Sequence, residues 1–163
     1  MGRDGEGLVI KYLKQIFVLP IGKSEKDLET GSERKLQVAT CVLLIEMAKS
    51  DNEFTEDERK KIISVMKDTF NLEKEYVDEL IELSEEEIKE SISLYEFTTT
   101  INQKFSSDER FKLVKNLWKL IFTDEILNMH EDHLIKKIGT MLNLEHRDII
   151  AAKLMVKEEK NRI

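Results

Sequence analysis

The sequence predicts an all-α domain, a compact bundle of about eight or nine helices built from two pseudo-repeated helix-turn-helix units. Three observations carry that prediction. One Pro and six Gly in 163 residues leave little punctuation for a sheet, whereas Leu, Ile, Lys and Glu favour helix. Apolar residues recur at helical spacing along most of the chain. One pattern also occurs twice, at Leu44–Glu58 and at Leu117–Glu131. Each copy runs an apolar segment into an Asp (Asp51, Asp124) and places a Glu seven residues later (Glu58, Glu131). The copies lie 73 residues apart, and an Asn-Leu-Glu tripeptide follows each, at 71–73 and 143–145. Few residues are identical, so the repeat is one of pattern.

Taken in order, Leu8–Leu19 places apolar residues at 9, 13, 16 and 17 with Lys11 and Lys14 opposite, a short amphipathic helix stopped by Pro20. It reads better as packing on the domain than as lying on a membrane. Residues 21–31 read as a polar linker, so the chain divides into 1–31, an N-terminal helix and linker, and 32–163, the helical domain. Thr30-Gly31-Ser32-Glu33 has the form of a capping box opening a helix to about Ser50. Leu36, Thr40, Leu43 and Met47 stripe that helix, and Val42, Leu44, Ile45 and Ala48 widen the stripe enough to predict a largely buried element.

Thr55-Glu56-Asp57-Glu58 is a second capping box, with Ile62, Ile63, Val65 and Met66 inward as far as Phe70. Asn71 is read as the cap of a helix over Leu72–Leu83, and Ser84 as the start of a short one. Ser93 is read as opening a helix to Lys104, and Ser106 or Ser107 as opening one that carries Phe111, Val114, Leu117, Trp118 and Ile121. Asn128 begins a helix with Leu134, Ile135, Ile138 and Leu142 inward, and Asn143 the last, with Ile149, Ile150 and Leu154.

Charge and cysteine usage bound the function. The net charge is −7, and residues 73–90 alone hold nine acids against two lysines, so the remainder balances to zero. That is a poor footprint for nucleic acid, which needs a basic surface. The single Cys41 offers no disulfide and no thiolate cluster, and suits a reducing cytoplasm. No apolar run is long enough to insert in a membrane, and residues 1–6 do not begin a secretory signal. Gly2 lacks the Ser or Thr that myristoylation favours at position six, where Glu6 stands.

Asp51, Glu58, Asp124 and Glu131 are the candidate metal ligands. An acid ending one helix and another in the first turn of the next converge when the connection folds back, and with turn carbonyls they suit a hard cation such as Ca²⁺ or Mg²⁺. Glu46, Glu53, Glu56, Asp57 and Glu125 are near enough in sequence to contribute. The plainer reading is that Glu at the third helical position bonds the cap and suits the helix dipole. The segment is not an EF-hand, because Ile62 stands where a loop opening at Asp51 needs its last Glu. His130 and His133 lack the spacing of zincin ligands, and no Glu-x-x-His occurs, so they read as surface residues. Cys41 and Trp118 read as core. No Gly-rich phosphate loop, nucleophile elbow or matched acid–base pair is present, and no catalytic residue is expected.

The paired motif, Leu44-Ile45-Glu46-Met47-Ala48-Lys49-Ser50-Asp51 then Glu58, with its echo at Asp124 and Glu131, resembles the tellurite-resistance TerB family. The resemblance covers about Leu36 to Leu154. It implies an all-α domain of two pseudo-repeated units, no established enzyme activity, and association with bacterial stress-response and tellurite-resistance systems, with acidic clusters as cation sites. Asn52 and Glu125 stand where the family favours Gly after the Asp. Asn tolerates a left-handed backbone better than Glu, so the second turn is expected to differ in shape. The expected role is non-enzymatic cation binding. The alternative is a metal-independent interaction module, its partner a protein, with membrane association a second option.

Overall fold

The computed structural model describes residues 25–51, 54–91, 93–124 and 129–161. Among them the chain forms seven α-helices, two 3₁₀ turns and no strand. The helices are α1 (Glu25–Ala48), α2 (Glu56–Phe70), α3 (Lys74–Glu90), α4 (Tyr95–Lys104), α5 (Ser107–Ile121), α6 (Met129–Met141) and α7 (His146–Asn161). The 3₁₀ turns, Lys49–Asp51 and Phe122–Asp124, extend α1 and α5. No helix among the described residues is long and apolar enough to cross a membrane.

Seven helices stand where eight or nine were expected, for identifiable reasons. The expected helix over Leu8–Leu19 lies outside the described residues. Ser84 does not open a helix of its own: α3 runs through it, and its side chain is buried beside Leu80 and Ile81. The α1 helix begins at Glu25 and passes through the supposed linker and capping box at 30–33. Gly31 inside it costs about 1 kcal/mol of helix propensity, which a helix of 24 residues with strong helix formers on both sides absorbs.

Asn71 and Asn143 end helices; they do not begin them. Asn71 stands at φ 57° and caps the C-terminus of α2, donating its backbone N–H to the Lys67 carbonyl at 2.8 Å. Asn143 stands at φ 61°. There Leu144 N–H reaches Gly139 O and Asn143 N–H reaches Thr140 O, both at 3.0 Å, the paired bonds of a Schellman stop. Asn fits because its short polar side chain tolerates the left-handed region.

Packing centres on α1. Between Gln37 and Ala48 only Glu46 is not buried, so the broad apolar face foreseen in the sequence is nearly the whole helix. It packs against α2, α3, α4, α5 and α6, while α7 packs mainly on α5. Trp118 of α5 is fully buried and donates its indole N–H to the Ile149 carbonyl of α7 at 3.0 Å. Gly139 of α6 allows a close approach there: a Cβ would stand 2.5 Å from Ile149 Cδ1. Along α7 the inward residues are Ile149, Ala152 and Val156, and Leu154, expected inside, is 58 % exposed. Cys41 is a buried core residue whose thiol desolvation pushes up to about 12.

Candidate functional site

The first acidic connection is built by a helix stop and a helix start. Past Ala48 the backbone tightens into the 3₁₀ turn, where Ser50 Oγ donates to the Met47 carbonyl at 2.8 Å. Asp51 ends this turn. Thr55 then caps α2 in extended conformation, and its hydroxyl accepts the Glu58 backbone N–H at 3.1 Å. Glu58 Oε1 accepts in return from Thr55 N–H at 3.1 Å and from Thr55 Oγ1 at 2.9 Å. The expected capping box is therefore present, and it holds Glu58 at 3 % exposure.

The surroundings of this connection are mixed in charge. Lys49 lies over the Phe54 ring at 5.9 Å and pairs with Glu85 of α3 at 3.6 Å. Glu46, in the last turn of α1, is half-buried, and desolvation raises its pKa against the opposing pull of Lys49. Glu56 and Asp57 are exposed in the first turn of α2, where they suit its dipole.

The second connection also follows a 3₁₀ turn that ends in Asp, with different fastenings. Thr123 Oγ1 donates to the Lys119 carbonyl at 3.0 Å, and Asp124 ends the turn. Phe122 stacks on Trp118 with ring centroids 5.7 Å apart, Lys157 lies over its ring, and Lys160 Nζ donates to its carbonyl at 2.9 Å. Glu131, in the first turn of α6, is 4 % exposed, beside an Asp132 paired with Lys136 at 2.7 Å. Asn128, Glu53 and Glu125, and the side chains of Asp51 and Asp124, lie outside the described residues. His130 and His133 are exposed, as their spacing suggested, and so is His146.

One relation was not legible in the sequence. The α6 helix, which carries Glu131, packs against the first turn, Lys49–Asp51, as well as on α1 and α4. The two connections are thus joined through α6, although 73 residues separate their acids in the chain. Among the described residues no three His, Cys, Asp or Glu are grouped to hold a metal. Glu58 and Glu131 supply the hard oxygen donors that Ca²⁺ or Mg²⁺ prefers, so the donor chemistry fits such an ion.

Comparison with known proteins gives one match. A family model described as "Tellurite resistance protein TerB" matches residues 37–154. Neither the comparison with curated proteins nor that with solved structures found a match. The matched span runs from the buried part of α1 into α7 and takes in both acidic connections, and the chain belongs to the tellurite-resistance TerB family.

Proposed function

We propose that the protein is a non-enzymatic cytoplasmic member of its family that binds a divalent cation, Ca²⁺ or Mg²⁺, at its acidic helix connections. Asp51 and Glu58 serve one connection, and Asp124 and Glu131 the other. In this reading the chain consists of two related units, each a helix, a 3₁₀ turn ending in Asp, and a helix whose first turn holds the Glu. The observation that carries it is the burial of Glu58 and Glu131 at equivalent places, 3 % and 4 % exposed. A carboxylate is the hard oxygen donor such a cation takes, and the carbonyls of a turn can complete its shell. The Asp supports the same reading, since a capping box requires the Glu and not the Asp.

The test is an amide NMR titration of the metal-free protein with Ca²⁺, Mg²⁺, Mn²⁺ and Zn²⁺, beside an Asp51→Ala, Asp124→Ala double variant. Saturable shifts around 51–58 or 124–131, lost in the variant, are the expected result. Weak, unsaturated shifts centred on 73–90 would overturn it.

A second reading has its own observation. At the N-cap of α3 and along it, Glu73, Glu75, Glu79, Glu82 and Glu90 are exposed. Of these Glu79 pairs with Arg34 at 3.2 Å. Half-buried Glu87 has its pKa raised by desolvation and then by Glu96 and Glu90. Such a face suits a basic protein partner and requires no ion.

A further inference from the structure

Asn116 stands mid-way along α5 and is 8 % exposed, yet no described residue bonds its carboxamide. The residue is largely buried, but its amide atoms are not sealed from solvent, so water or a ligand can reach them. The group is not sealed against apolar atoms. It lines a recess of about 100 Å³ between α1 (through Thr40), α2, α5 and the end of α4.

The recess is built by rigid elements. Glu109, Lys112, Leu113 and Asn116 fall at i, i+3, i+4 and i+7, so they form one stripe of α5. Phe105, at the C-terminal end of α4, forms the facing wall and is held by stacking on Phe70, centroids 6.1 Å apart. Thr69, in the last turn of α2, adds a hydroxyl that bonds no described residue. Leu113 is buried and gives a second apolar surface. At the rim Glu109 is fixed by accepting Ser106 N–H at 2.9 Å, and Lys112 forms no ion pair with a described residue.

These groups define a ligand. Asn116 offers a donor and an acceptor side by side, and another amide meets both with its own two polar groups. Glu109 and Lys112 cancel in charge, so the rim favours neither an anion nor a cation. Size sets the remainder: an engineered cavity of about 150 Å³ holds benzene, so this one takes on the order of five heavy atoms. We propose that the recess binds the carboxamide end of a small aliphatic amide, its methylenes against Phe105 and Leu113 and its polar atoms on Asn116 and Thr69. A free amide and the side chain of a glutamine residue share this chemistry. The site is separate from the acidic connections, so either assignment stands without the other.

The test uses the full chain, ¹⁵N-labelled, titrated with propionamide and followed through the Asn116 side-chain NH₂ and the amides of Thr69, Phe105 and Leu113. Saturable shifts at these groups are expected, with affinity near the millimolar range that so small a ligand allows. Asn116→Leu removes both polar atoms and abolishes the shifts. Asn116→Asp preserves the shape, loses the donors, and weakens binding at least tenfold; it serves as the check if the Leu variant does not fold. Free L-glutamine and an N- and C-blocked glutamine tripeptide separate the sources, since the recess takes a free amide if only the first binds and a protein side chain if the peptide binds too. Absence of saturable shifts in the parent, binding by either Asn116 variant as tight as by the parent, or propionate binding as well as propionamide would overturn the assignment.

Discussion

Replacing Glu58 and Glu131 together by Gln separates helix capping from ion binding. Gln is an accepted partner in a capping box, and its side-chain oxygen can keep the bonds that Glu58 Oε1 takes from Thr55 N–H and Oγ1. Loss of charge in a first turn removes about 0.3–1 kcal/mol of dipole interaction per site. The lower desolvation cost of a buried neutral amide offsets part of that. In the metal-free state the double variant is therefore expected within about 1–2 kcal/mol of the parent. Ion binding predicts a larger difference once ions are added. At a free concentration one hundred times Kd, a single site contributes about 2.7 kcal/mol, which for a chain of this length is a rise in Tm of roughly 5–10 °C. Calorimetric melts in EDTA and in saturating Ca²⁺ or Mg²⁺ read this directly. The parent should gain most of that rise, and the Gln variant little of it. Equal rises in both proteins, or none in the parent, would refute the cation assignment and leave the glutamates as caps.

The remaining predictions concern the frame. Gly139→Ala gains about 1 kcal/mol of helix propensity, but its Cβ would meet Ile149 Cδ1 at 2.5 Å and Cγ1 at 2.7 Å. Ile149 is buried and its carbonyl holds Trp118, so overpacking of about 1–3 kcal/mol prevails, and the urea midpoint should fall with unchanged m. Glu46 and Glu87 both have pKa values raised above the ordinary 4.5, each chiefly by burial. Between the unfolded and folded values the native state binds more protons, so these two groups make stability fall as pH rises through that window. Glu46→Gln with Glu87→Gln should raise stability at neutral pH and flatten the slope just above pH 4.5, as melts across pH will show. Cys41, buried and with its thiol near 12, should resist alkylation at pH 8 until urea unfolds the chain, a difference read by mass spectrometry.

What the sequence made legible follows from which signals are local. The capping box at Thr55–Glu58 formed as read, and Ser106, one of the two serines read as opening its helix, caps it with a box to Glu109, because such a signal needs only residues three apart. The wide apolar face of α1 was legible for the same reason. Asn71 was misread because Asn serves both helix ends, and only the backbone shows that φ is positive there. Ser84 was misread because a serine followed by acids resembles a cap, whereas its burial depends on what packs against α3 from α1. The place of α6 against the first turn had no signal at all, since contacts between distant segments leave no period in the chain. Asn116 had a faint one, a polar residue between Val114 and Leu117 on an apolar stripe, which points to a special site only once the recess is seen.

Capping and ion binding require nearly the same thing of a glutamate, and this is why spacing alone did not divide them. A helix N-terminus fixes the backbone of its first turn and favours negative charge there, so a Glu three residues past the cap is held in place before any ion arrives. The turn before it supplies carbonyls whether or not they bind a metal. The burial of Glu131 adds an argument that spacing lacks. Its helix rests on α1 and on the turn ending at Asp51, so the two connections are neighbours in the packed structure. If one ion draws on both connections, Asp51→Ala alone should weaken binding as sensed by amides near Glu131. If each connection binds its own ion, those amides should still titrate as in the parent. The single variant therefore distinguishes one shared site from two.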